Sequence, residues 1–289
     1  MKSKSLSEYW KVKSREVDSY LQQILRRQNG IPPLLLDAMR YSALSGGKRL
    51  RPILAITAYQ AVGGKGKAIL PPACALELLH AFSLVHDDLP CMDDDDLRRG
   101  KPTLHRVYGP GMAVLAGDAL HALAFQLLAQ TRNPQAMLEV ADAIGGGGMI
   151  GGQVADLEAE GKRVALKDVE YIHRHKTAAL IRASVKMGGI LGKASFSELK
   201  ALEVYGDNIG LAFQVIDDIL NVEGTEKQLG KKVGSDHLKE KATYPKTVGI
   251  GRSKKIASDL SAQGKKAIKN YPKFYRLAEI ADYLLGRIK

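Results

Sequence analysis

Six aspartates fall between Asp87 and Asp96 in the run HAFSLVHDDLPCMDDDDLRRGKPTLH, which extends from His80 to His105. The lead-in ALELLHAFSLVHDD places Leu76, Leu79, Phe82, Ser83 and His86 at spacings of three and four. That periodicity predicts a mostly buried helix that delivers Asp87 and Asp88 at its C-terminal end. A helix C-terminus already carries partial negative charge, so carboxylates there call for a compensating cation. On a straight helix Asp93 would face away from Asp87, but Pro90 bends or ends the helix and lets the two carboxylates converge. Donors made only of oxygen favour a hard ion, and Mg²⁺ typically takes one or two carboxylates together with substrate phosphates. Arg98 and Arg99 are either internal partners of these acids or fork-shaped donors for diphosphate oxygens. A solvated acidic loop or a calcium loop is the plainer reading. The apolar lead-in and the absence of glycine where an EF-hand loop needs one weigh against it.

Four further stretches carry chemistry. Gln214, Asp217, Asp218 and Asn221 share one polar face of an otherwise apolar helix, where buried carboxylates need partners. Structural bridges and metal ligation both satisfy that need. In SGGKRLRP, Gly46 and Gly47 precede Lys48, Arg49, Arg51 and Pro52, an anion site at a helix N-terminus or a capped turn. In LKDVEYIHRHKTAALIR the stripe Val169, Ile172, Leu180 and Ile181 is interrupted at Lys176 and Thr177, which suits a solvated face as well as a ligand. Glycines at 145–148 and 151–152 would each cost about 1 kcal/mol within a helix. Either backbones approach closely there or a cavity wall is kept open, with Gln153 and Asp156 on one face of the helix that continues. The stretch containing Gly224, Gly230 and Gly234 reads as a mobile basic lid.

The elements that position these residues are helices throughout, with no strand alternation. They run from Leu6–Arg27, through a small-residue helix expected to be centrally packed at GMAVLAGDALHALAFQLLAQ, to a helical stretch over 253–289. The expected architecture is all-α, a single domain over residues 1–289. Roughly ten or more helices would surround a central active-site cavity, with two aspartate-bearing helices facing across it.

The chain has 289 residues, 45% hydrophobic and 26% charged, with a formal net charge of +12. Its lysines are dispersed without interleaved aromatics, which points to small anionic ligands and away from nucleic acid. Cys74 and Cys91 form neither a metal motif nor a disulfide framework, as in a reducing compartment. Glu8, Glu16 and Asp18 argue against a transit peptide, and no signal-like apolar core appears. A cytoplasmic location follows as the expectation. Pro71, Pro72, Glu77 and His80 interrupt the longest apolar stretch, so no membrane span is predicted.

Two carboxylate clusters with cations above an apolar pocket suit ionisation of a diphosphate. No serine triad, activated cysteine or Walker loop offers another chemistry. The motifs GGKRLRP, LVHDDLPCMDDDDLRRGKPTLH, GGQVADL, HKTAAL, FQVIDDIL and KATYP resemble the trans-prenyl diphosphate synthases. The likeness runs in family order from about Gly46 to Pro245 and is greatest to bacterial farnesyl and geranylgeranyl diphosphate synthases.

That resemblance implies Mg²⁺ ligands at Asp87, Asp88, Asp93 and Asp217, with Asp218 supporting, and about three ions once substrate is bound. It implies that Lys48, Arg51, His80 and Arg99 hold isopentenyl diphosphate. Arg98, Lys176, Thr177, Gln214, Lys231 and Lys241 would hold the allylic diphosphate, with Lys176, Thr177 and Gln214 lining the allylic cation. Homodimers are also implied. Asn221 departs from the family pattern, which usually has a third aspartate there. Phe82, five positions before the first aspartate and next to Ser83, implies a product of fifteen carbons, with geranylgeranyl diphosphate as the alternative. A terpene cyclase or a non-catalytic subunit of the same fold stand as further readings, although a cyclase has little need of the site at GGKRLRP.

Overall fold

The computed structural model describes residues 5–224 and 241–288. The fold is all-α, and the chain divides into two compact units, Met1–Ile56 with Gly66–Met137 and Thr57–Lys65 with Leu138–Lys289.

In the first unit, α1 (Leu6–Arg26) starts at a capping box in which Ser5 and Glu8 satisfy each other's backbone N–H groups. After α2 (Pro33–Ala43) comes α3 (Leu50–Ala61), which begins beside the basic loop. The 18-residue α4 (Leu70–Asp87) carries Pro71 and Pro72 in its first turn, where a missing N–H costs little. It is buried on nearly every side from Leu70 to Val85. A short α5 (Leu104–Tyr108) leads into α6 (Pro110–Ala129), which packs on α4. That approach needs a glycine, because a Cβ at Gly117 would lie 2.2 Å from His86 Nε2.

Two sequence expectations are corrected in this unit. The helix α6 is not packed all round: Ala113, Gly117 and Leu120 are buried, but Val114 and Leu115 are 40% and 55% exposed. Among the described residues it alone is long and apolar enough to cross a membrane. The absence of strands also fails locally, since β1 (Leu97–Arg98) and β2 (Lys101–Pro102) form a minimal antiparallel hairpin. Its two-residue loop, Arg99-Gly100, has positive φ at both positions, 54° and 74°, the conformation that matches strand twist in tight hairpins.

The second unit takes up α7 (Pro134–Ile144) from Leu138 onward and contains α8 (Met149–Ala159) and α9 (Leu166–His173). A five-residue π-helical turn, Arg174–Ala178, joins α9 to α10 (Ala179–Leu191). Then come the 28-residue α11 (Phe196–Glu223), α12 (Tyr244–Val248), α13 (Ile250–Ile268) and α14 (Tyr275–Leu285). A 3₁₀ turn, Gly286–Ile288, follows. The helix α11 starts at a capping box between Ser195 and Glu198 and packs against α10 and α13. Of the two explanations for the glycine run, close backbone approach holds at Gly152, whose Cβ would lie 2.1 Å from the backbone nitrogen of Lys176.

Candidate active site

The first aspartate cluster is shaped by the chain reversal after α4. The Asp93 N–H donates to the Asp87 carbonyl at 2.8 Å, and the Asp94 N–H to Leu89 at 3.0 Å. The backbone of Asp93 therefore returns to the end of α4. Asp88 behaves differently: it is 3% exposed and accepts from Arg98 Nε at 2.6 Å. Burial, reinforced by Asp95 and Asp87, pushes its carboxyl up to about 6 against the pull of Arg98. Arg98 also reaches Asp95 at 3.4 Å, and Arg106 pairs with Asp96 at 2.5 Å. Here Arg98 acts as an internal partner, one of the two roles its position allowed.

Beside this cluster, a pocket open to solvent is lined by His80, Asp88, Arg98, Arg99, Glu77, Arg49, Lys101 and Thr103, among others. Arg99, held at positive φ by the hairpin, donates to the Gly46 carbonyl and to Ser45 Oγ. Gly47 is favoured by its φ of +127°, and a Cβ there would sit 2.7 Å from the Arg99 guanidinium and displace it. Burial, then the charges of Arg51, Arg99, Arg98 and Arg49, depress the His80 pKa well below its ordinary value. A neutral imidazole among cations suits an anionic ligand. Arg49 is committed to structure through Asp18 at 2.8 Å and Glu77 at 2.7 Å. Lys48 is exposed, with its carbonyl accepting from Trp10 Nε1 at 3.0 Å, while Arg51 is buried on α3. The sequence reading did not single out Lys101, whose only signal was its place just past the two arginines and Gly100.

One turn and a residue before Asp87, Phe82 packs edge-on against His86 and His121, with ring centroids 5.3 and 4.9 Å away. His121 continues to Phe125 at 5.1 Å. This ladder between α4 and α6 braces Phe82, and Ser83 bonds to the His80 carbonyl at 3.0 Å. Neither His121 nor Phe125 was singled out from sequence, since both read as ordinary helix residues.

In the second unit, the interruption at Lys176 and Thr177 is the π-helical turn, a distortion that often accompanies function. Thr177 Oγ1 donates to Gln214 Oε1 at 2.9 Å, and Gln214 Nε2 donates to Asp218 Oδ1 at 3.0 Å. Asp218 Oδ2 meets His173 Nε2 at 2.8 Å and the Tyr244 N–H at 3.0 Å. Asp218 is thus a buried organiser of the polar face, and Asn221 is buried beside it on α11. Asp217 instead pairs with Arg287 at 2.7 Å.

Asp156 accepts from Lys176 Nζ at 2.6 Å and from Lys241 Nζ at 3.2 Å, and Lys241 also bonds to Glu160. Burial acts to raise the Asp156 carboxyl pKa, but the two lysines outweigh it and hold it below the usual range. Both amide atoms of Gln153 are buried without a hydrogen-bond partner. Lys231, Gly230 and Gly234 lie outside the described residues.

Among the described residues no three carboxylate, imidazole or thiol groups converge as a ready-made metal cage. The aspartates at Asp87 and Asp93 offer oxygen donors only, the chemistry that a hard ion takes together with phosphate oxygens.

The polyprenyl synthetase profile matches residues 32–278. The chain is 46% identical over 270 residues to the heterodimeric geranylgeranyl pyrophosphate synthase large subunit 1 of Arabidopsis thaliana, covering 89% of this chain and 73% of that one. It is 43% identical over 267 residues to a farnesyl diphosphate synthase of Geobacillus stearothermophilus, covering 89% and 90%. A polyprenyl synthase of Caulobacter crescentus, solved with calcium and isoprenyl diphosphate, superposes with a TM-score of 0.89 at 26% identity over the full length of both chains.

Proposed function

The chain belongs to the polyprenyl synthetase family and is a prenyltransferase, and on that premise we propose that it joins isopentenyl diphosphate head-to-tail to dimethylallyl and geranyl diphosphates, making farnesyl diphosphate. The observation that carries the fifteen-carbon product is Phe82, braced by His121 and His86. Five residues at ~1.5 Å each place it about 7.5 Å below the end of α4. A prenyl chain growing along α4 from the first cluster meets that ring. A geranylgeranyl product is the second reading, favoured by the geranylgeranyl pyrophosphate synthases among the relatives.

Breaking the allylic carbon–oxygen bond sends its electron pair to the diphosphate. The isopentenyl double bond then forms the new carbon–carbon bond, and a neighbouring proton passes to a diphosphate oxygen. Lys176, Thr177, Gln214, Lys241, Arg98 and, outside the described residues, Lys231 are proposed to hold the allylic diphosphate and line the cation. Lys48, Arg51, His80 and Arg99 are proposed for isopentenyl diphosphate, joined by Lys101 from the pocket wall. Asp87 and Asp93, and on α11 Asp217, would hold Mg²⁺, which would supply charge neutralisation for the leaving group; the calcium in the Caulobacter neighbour supports a hard cation. Asp88 and Asp218 support these ligands by fixing Arg98 and Gln214.

We also propose a homodimer that covers the exposed face of α6 at Val114 and Leu115. The unpaired thiols Cys74 and Cys91 suit a reducing cytoplasm. Release of diphosphate from geranyl diphosphate should require added isopentenyl diphosphate. Release without it, with a cyclised product, would establish a cyclase, and no release under either condition would establish a non-catalytic protein.

A further inference from the structure

The turn Gly286–Ile288 carries Arg287 back onto α11, 70 positions away in sequence, where its Nη1 donates to Asp217 Oδ1 at 2.7 Å. The guanidinium also stands over the Phe213 ring, 5.8 Å from its centroid. Phe213 lies one helical turn before Asp217, so ring and carboxylate together make a seat for a planar cation. The Arg287 and Asp217 side chains are 12% and 25% exposed, which leaves this pair less screened than a surface bridge.

The neighbouring aspartates of α11 have separate tasks. Asp218 is bound into the protein by His173, Gln214 and the Tyr244 N–H. Asp217 is held by a long side chain on a short turn, an element that opens at low cost. Arg287 occupies an oxygen of Asp217 that a divalent ion ligated by this carboxylate would share, and two cations on one carboxylate repel.

We propose that Arg287 is a positioning residue that holds the place of the metal on Asp217, and that metal and diphosphate must displace it. The inference rests on the reading of Asp217 as a metal ligand. Arg287 keeps the carboxylate neutralised and correctly aimed until the ligand arrives, and it lowers the apparent metal affinity of α11 by the fraction of molecules in which the pair is closed.

The test is Mn²⁺ binding followed by electron paramagnetic resonance in the presence of inorganic diphosphate, for the wild type, Arg287→Gln, Arg287→Lys, Phe213→Leu and Asp217→Asn. Arg287→Gln should tighten Mn²⁺ binding about three- to tenfold. Phe213→Leu should shift it the same way by less, and Arg287→Lys should stay near wild type. Unchanged or weaker binding in Arg287→Gln and in Phe213→Leu, with native circular dichroism, overturns the proposal and leaves Arg287 as a structural bridge. If Asp217→Asn binds Mn²⁺ as the wild type does, the assignment of Asp217 to the metal fails first and the role of Arg287 falls with it.

Discussion

The backbone N–H of Asp93 donates to the carbonyl of Asp87 at 2.8 Å, so the last residue of α4 and the sixth residue beyond it are tied together across Pro90. That bond brings the two backbones together, and on the proposed function their carboxylates share a cation. Asp87→Ala should lower turnover by orders of magnitude with the helical circular dichroism unchanged, and so should Asp217→Ala on α11. Near-normal turnover in either variant would remove that cluster from the chemistry.

Asp156 gathers Lys176 and Lys241 onto one carboxylate oxygen. The substitution Asp156→Asn keeps the shape but removes the negative charge that Lys176 and Lys241 share, leaving Lys241 with Glu160. Losing one charge-assisted placement is worth ~1.5–3 kcal/mol, so KM for geranyl diphosphate should rise about tenfold or more while KM for isopentenyl diphosphate changes much less. Equal changes in both constants would indicate general loosening rather than a role at the allylic diphosphate.

The His80 pKa is depressed in the fold by burial and by four arginines. Unfolding releases that restraint, so below pH 6.5 the unfolded chain takes up a proton that the native one refuses. Stability from this group is complete above the unfolded pKa and declines as pH falls toward the folded one, by at most about 1.4 kcal/mol per pH unit. Chemical denaturation at pH 7.5 and 5.5 should show wild type losing more stability than His80→Gln, with the difference approaching about 1.4 kcal/mol. Identical losses in the two proteins would mean that His80 is not held neutral.

The sequence displayed what depends on neighbouring positions. Pro90 announced the reversal that returns Asp93 to Asp87, and the i, i+3, i+4 spacing of Gln214, Asp217 and Asp218 put them on one face of α11. It also marked Lys176 and Thr177 as a break in an apolar stripe, but a π-helical turn has no sequence signal that separates it from a solvated face. Asp156 and Lys241, 85 positions apart, pair through tertiary packing that spacing cannot show. The same holds for Arg287 on Asp217 and for His121 behind Phe82. Composition misled at α6, because small apolar residues suit a helix packed on one side as well as one enclosed. The hairpin that sets Arg99 at positive φ was too short to leave an alternation.

A prenyl transfer that stops at the Phe82 ring is read from the chain length of the product formed from geranyl and isopentenyl diphosphates by the wild type and by Phe82→Ala. Removing the ring takes away one wall of the ladder with His86 and His121 and opens space below the end of the farnesyl chain. Farnesyl diphosphate is expected from the wild type, with a shift to geranylgeranyl diphosphate or longer chains in Phe82→Ala. A wild type that makes mainly the twenty-carbon product, or a variant that still stops at fifteen carbons, would contradict a stop at Phe82.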